Sequence, residues 1–177
     1  MPLSRHYDRR GGTALLSEET SVSLTEEGRV LDVLDEAECR RLLPTVSIGR
    51  IGYTEGALPA IQPVSFGVQD GQVLIPTRAG SKVAAASRGA VVAFEVDSYD
   101  ATERTGWNVT VVGPSRLVSD PAEVAALDSL GLTPWVPAPK LSYIAVQIAL
   151  LRGRRVRALS TDMHRVPVET AGSPDSA

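Results

Sequence analysis

Apolar residues fall on alternate positions through much of the middle of the chain. In AIQPVSFGV, residues 60–68, Val64, Phe66 and Val68 alternate with Ser65 and Gly67, the period of a strand with one buried face. VSIGRIGY before it reads as a further strand. Asp70-Gly71 after it is the strongest short hairpin signal, so QVLIPT is expected to return as its partner. Downstream, AVVAFEVDS (90–98) and GWNVTVVGPSRLV (106–118) are β-branched runs separated by the polar loop YDATERT, and SYIAVQIALL and RRVRAL read as closing strands around Gly153. Within GWNVTVV, Trp107, Val109 and Val111 share one face, and Asn108, Thr110 and Val112 the other.

Two segments carry helix punctuation. LDEAECRRLL offers Asp35 as N-cap with Glu38 three residues on, then Cys39, Leu42 and Leu43 on one side before Pro44. SDPAEVAALDSL supplies Asp120 as N-cap, Pro121 at the first helical position, Glu123 behind it and Gly131 as a stop. About six strands against two or three short helices predict a mainly β (α+β) fold, a small barrel rather than a βαβ array, because strands do not alternate with long helices. Residues 1–29 are polar without periodicity and residues 161–177 are rich in small and turn-forming types. Both read as tails around one domain over residues 30–160.

Composition narrows the function. With 177 residues, 43% of them hydrophobic, one domain with a real core is expected. A formal net charge of −3, and no basic stripe apart from RGRRVR at residues 152–157, argue against a nucleic-acid partner. One cysteine allows no internal disulfide. No apolar run approaches the roughly 20 residues of a membrane helix, and the first residues lack a signal peptide's apolar stretch. The expected location is the cytoplasm, with no membrane partner.

The side-chain inventory is thin for catalysis. His6 and His164 both fall in the tails, and Cys39 sits on the apolar side of a helix with no activator nearby. No G-x-S-x-G elbow, phosphate-binding P-loop, dinucleotide fingerprint or cysteine metal cluster is present. An enzyme so provisioned borrows its reactivity from an organic cofactor. One stretch suggests where. In LIPTRAGSKVAAASRG, residues 74–89, Ser81 can cap a short Ala-rich segment whose first turn carries Lys82, a placement that a helix dipole disfavours by a few tenths to about one kcal/mol. Two readings fit. An anion at that point would turn the unfavourable juxtaposition into a shared attraction, with Thr77 adding a hydroxyl; otherwise Lys82 is a solvated surface lysine.

The succession PVSFGVQDGQVLIPTRAGSKVAAA, VAFEVDSYDATERTGWNVTVVGPSRLV, SDPAEV, LGLTPW and GRRV resembles the actinobacterial pyridoxamine 5′-phosphate oxidase-like proteins over about residues 34–156. The resemblance implies an FMN-binding, six-stranded split β-barrel that forms a homodimer with FMN in two clefts at the subunit interface. It implies that Thr77, Ser81 and Lys82 lie at the FMN phosphate, that Pro76 is a further cofactor-binding residue, and that the backbone of Pro63, Val64 and Ser65 borders the isoalloxazine ring. Asn108 falls where relatives often place a Ser or Gln near the flavin. Arg50 is open between reaching the phosphate and sitting on an edge. For Trp107, plain packing is the expectation. One departure stands out: the arginine and histidine pair that authentic pyridoxamine phosphate oxidases place near the C-terminus is missing, since RRVRAL has arginines alone. Vitamin B6 oxidase activity is therefore not implied. Three readings follow: an FMN-dependent oxidoreductase of a small organic substrate, an enzyme of the same fold using the deazaflavin F420, and a non-catalytic flavin binder. FMN is favoured over F420, whose longer acidic tail asks for more cations than Lys82 and Arg78.

Overall fold

The computed structural model describes residues 25–26, 28–78, 83–84, 88–133 and 141–159. Their chain order is β1 (Thr25–Glu26), β2 (Arg29–Leu34), α1 (Glu36–Leu42), a 3-10 turn (Leu43–Thr45), β3 (Ile48–Glu55), β4 (Leu58–Ser65), β5 (Gly67–Gln69) and β6 (Gln72–Arg78). Then come β7 (Val91–Asp100), β8 (Thr105–Val118), α2 (Pro121–Asp128), β9 (Leu141–Gln147) and β10 (Leu150–Ala158). Every described pairing is antiparallel. The fold is thus mostly β with few short helices, as the alternation predicts.

One ladder runs β1-β2-β10-β8-β7-β3-β4, and a second runs β5-β6-β9-β8. The 14-residue β8 belongs to both: residues up to Val112 pair with β10, and residues from Ser115 pair with β9. Gly113 stands at the changeover. A methyl built there would fall deep inside the Gln147 carbonyl oxygen, so only glycine lets β8 pass this close to the end of β9. The sheet does not close, because β4 and β6 make no ladder with each other.

Between the two ladders lies the main core of Ile51, Phe66, Val73, Ile75, Phe94, Val96, Val109, Val111, Ile144 and Val146, all buried. Phe66 meets Phe94 edge-on at 4.8 Å between centroids. α1 closes one end: its Asp35 carboxylate accepts from Glu38 N at 2.8 Å, and Cys39 presses against β10 where Gly153 has no side chain. α2 covers the opposite side of the second ladder through Val124 and Leu127. Its Asp120 cap accepts from Ala122 N and Glu123 N, each at 3.0 Å, with Pro121 next as expected. Tyr143, fully buried, donates to Asp128 of α2 at 2.8 Å.

The described chain has ten strands where the pattern predicts about six, and three differences account for much of the excess. AIQPVSFGV is not one strand. It breaks at Phe66, which turns into the core; β4 pairs with β3 across a Gly56-Ala57 turn with both φ positive, and only Gly67–Gln69 pairs with β6. SYIAVQIALL breaks at Ile148 and Ala149, where Ile148 N donates to the Gly71 carbonyl at 3.0 Å. RVLDVL, unassigned in the sequence reading, forms β2 against β10.

Candidate functional site

Directly opposed residues of an antiparallel ladder share a face. The register therefore places Val33, Arg154, Asn108 and Asp97 in one row across β2, β10, β8 and β7. The next row is Arg152, Thr110, Glu95, Arg50 and Pro63, and the next is Leu150, Val112, Ala93, Gly52 and Ile61. All lie on the side of the first ladder away from the core. The apolar members remain open: Ile61 is 74% exposed, Val33 45% and Leu150 41%.

Over β8 and β10 this face sinks into a cavity of about 760 Å³. Its polar lining is Asn108, Thr110, Arg152 and Arg154, and its apolar lining includes Val33, Leu34, Val112 and Leu150. Asn108 Nδ2 donates to Glu95 Oε1 at 3.4 Å, which turns the amide oxygen of Asn108 away from that carboxylate. Along the face, Arg50 pairs with Asp97, and both line a shallower cleft of about 550 Å³ with Thr45, Ser47 and Ile48. Arg50 is thus an ion-pair partner within the sheet.

Strand alternation sorts the arginines of β10. Arg155 and Arg157 bond carboxylates, Arg155 Nη2 to Glu38 Oε1 at 2.5 Å and Arg157 Nε to Asp32 Oδ2 at 2.6 Å. Arg41 and Arg155, in that order, hold the Glu38 carboxyl down at about 2. Arg152 and Arg154 point the other way, into the cavity, and neither meets a carboxylate among the described residues.

The residues expected at a flavin occupy three places. Pro63, Val64 and Ser65 end β4, with Pro63 exposed and Val64 and Ser65 half-buried. Pro76 and Thr77 end β6 opposite Tyr143 and Ser142; Pro76 is buried and Thr77 half-buried. Asn108 lines the β8–β10 cavity on the same face as Pro63, with β7 and β3 between them. Three strand spacings of about 4.8 Å separate β8 from β4 by about 14 Å. Ser81 and Lys82 lie outside the described residues, as do His6 and His164. Trp107 packs against the core, on the side opposite Asn108. Cys39 is fully buried, and desolvation followed by Asp35 and Glu38 pushes its thiol up, so it stays protonated.

The sequence reading put Thr110 on the face of Asn108 without giving it a role, and missed Arg152 and Arg154. RGRRVR was read as one basic run, whereas its alternation separates two cations for the cavity from two for ion pairs. Among the described residues, no group of three or more His, Cys, Asp and Glu is gathered to hold a metal, and no helix is long and apolar enough to cross a membrane.

Known proteins match this chain across the domain. An uncharacterized protein of Mycobacterium tuberculosis is 41% identical over 138 residues, 75% of this chain and 90% of that protein. A solved structure of an FAD-binding protein from Mycobacterium smegmatis is 36% identical with a TM-score of 0.59, covering 71% of this chain and 97% of that one. An FAD-binding protein from Mesorhizobium loti, 17% identical with a TM-score of 0.57 over 73% of this chain and 99% of that one, shows the same fold. The sequence profile of the pyridoxamine 5′-phosphate oxidase family matches residues 35–155, and the chain belongs to that family.

Proposed function

We propose that the protein binds a flavin nucleotide and acts as a flavin-dependent oxidoreductase on a small organic substrate. The observation that carries this reading is the uncovered sheet face, where Asn108 and Thr110 stand beside an apolar wall over β8 and β10. These residues fit the group: a flavin ring is an amphipathic plane that asks for apolar contact and a few hydrogen-bond partners at its edge. The FAD-binding relative at 36% identity supports the same reading. FMN is the portion that FAD contains, and it is the cofactor that the family resemblance leads one to expect. When bound, a flavin accepts or gives a hydride through its ring. The protein's own part is to bind, orient and exclude water. Asn108 presents its amide oxygen, Thr110 its hydroxyl, and Val33, Val112 and Leu150 the apolar surface.

The open face also supports a homodimer with the cofactor between chains, since Ile61 and Leu150 are left bare on a single chain. The test is direct. Purified protein should show flavin absorbance maxima, release FMN or FAD on denaturation, and pass electrons from NAD(P)H to an artificial acceptor, and it should sediment as a dimer. A flavin that never turns over leaves a binder without catalysis; a colourless protein that takes up neither FMN nor FAD overturns the reading.

A further inference from the structure

We propose that Ser142 of β9 is a further anion-binding residue, whose hydroxyl donates to the phosphate of the flavin nucleotide beside Thr77. This rests on the flavin reading above and adds to it a residue from a strand that no sequence motif marks. Two polar side chains are buried among the described residues, Ser115 and Ser142, each 4% exposed. Ser115 Oγ donates to the Ala90 carbonyl at 2.9 Å. Ser142 Oγ reaches no hydrogen-bond partner among the described residues. A hydroxyl taken out of water without a partner costs stability, so this one asks for a partner from outside the fold.

Register gives the group its place. Val73 opposes Val146 and Ile75 opposes Ile144 across β6 and β9, and all four side chains enter the main core. Two residues further along the same face, the opposed pair is Thr77 and Ser142. Apolar contact thus gives way to two hydroxyl residues side by side, with Cβ atoms about 4.5–5.5 Å apart as in any directly opposed pair. β6 ends at Arg78, one residue past Thr77, so the stretch that carries Ser81 and Lys82 begins at this pair, and Val83 after it is back in the main core. Thr77 is the hydroxyl that the sequence pattern brings to an anion at Lys82. The ring and ribityl chain of a flavin carry no charge, so the phosphate is the group that hydroxyl donors and a lysine serve together. With Ile75 and Ile144 beneath it, the Ser142 donor acts on that charge in surroundings of low dielectric, where a hydrogen bond is strengthened.

Fluorescence titration of the full-length protein with FMN, and with riboflavin as its counterpart without phosphate, tests the role. Ser142→Ala should weaken FMN about tenfold and leave riboflavin unchanged. Ser142→Thr and Ser142→Val share one shape and differ in the hydroxyl, so FMN should favour the threonine variant by about tenfold while riboflavin binds both alike. Thermal melts supply a readout that a structural hydroxyl would move the other way. Without flavin, Ser142→Ala should melt at or above wild type, because the hydroxyl it loses bonds nothing in the fold, and under saturating FMN wild type should gain more than the variant. Equal FMN binding in wild type and Ser142→Ala, with FMN still preferred to riboflavin, overturns the proposal and leaves the flavin reading standing. So does a Ser142→Ala protein that melts below wild type without flavin and loses FMN and riboflavin alike, since Ser142 would then serve packing alone. A wild-type protein that takes up neither flavin removes the flavin reading and this role with it.

Discussion

Replacing Gly113 with alanine should damage this fold far more than the same change at Gly52, a strand glycine with room around it. At Gly113 the added methyl meets the Gln147 carbonyl oxygen and the Ala149 backbone, which are main-chain atoms at the end of β9, whereas ordinary contacts lie at 3.4–4 Å. No side chain can rotate away, so β8 and β9 must separate at the point where β8 changes ladders. Overpacking costs typically 1–3 kcal/mol, and an unyielding backbone neighbour puts Gly113→Ala near the top, at about 3 kcal/mol. For a domain of this size, 1 kcal/mol lowers Tm by roughly 2–4 °C, so the loss should be about 6–12 °C. Gly52→Ala is the control: its methyl would meet Ala93 at an ordinary 3.7 Å, and relief of glycine's backbone entropy makes the change neutral or stabilising by roughly 0.5–1 kcal/mol. Thermal melts followed by circular dichroism, with urea midpoints beside them, measure both. Equal melting of Gly113→Ala and Gly52→Ala would refute the claim that close backbone approach at Gly113 holds the split between the ladders.

Three further outcomes are expected. Lys82→Ala should lower FMN affinity about tenfold to a hundredfold while riboflavin, which lacks the phosphate, binds as before; equal losses for both ligands in fluorescence titrations would move the anion site elsewhere. The Tyr143 phenol is pushed up to about 12 by burial and then by Asp128, so its contribution to stability is complete below its ordinary pKa near 10 and is lost as pH rises towards 12. Tyr143→Phe should remove that part of the alkaline slope in urea midpoints measured from pH 9 to 12. The Glu38 carboxyl, held at about 2, contributes stability that is present above its ordinary 4.5 and is lost as pH falls towards 2. Arg155→Ala should raise the Glu38 midpoint in a carboxyl NMR titration, and an unmoved midpoint would mean that Arg41 alone sets it.

Local signals in the sequence were sufficient for the fold class, for both helix starts and for the hairpin at Asp70-Gly71. Each depends on neighbours in the chain: Asp35 and Asp120 cap amides two or three residues on, and a period of two requires only that one face be buried. The family was likewise legible in the order of motifs. What alternation does not encode is which strand lies beside which. Residues 64–68 carry one unbroken period, yet Val64 and Ser65 pair with β3 and Gly67 and Val68 with β6, with Phe66 between them turned into the core against Phe94. RVLDVL becomes β2 only because β10 offers it an edge. The candidate site obeys the same division. Chain order put Asn108 and Thr110 together on the face opposite Trp107, but Arg152 and Arg154 became their neighbours through the β8–β10 register alone. The phase of that register, in which Gly153 faces Cys39, decides which arginines meet Glu38 and Asp32 and which are left facing the cavity.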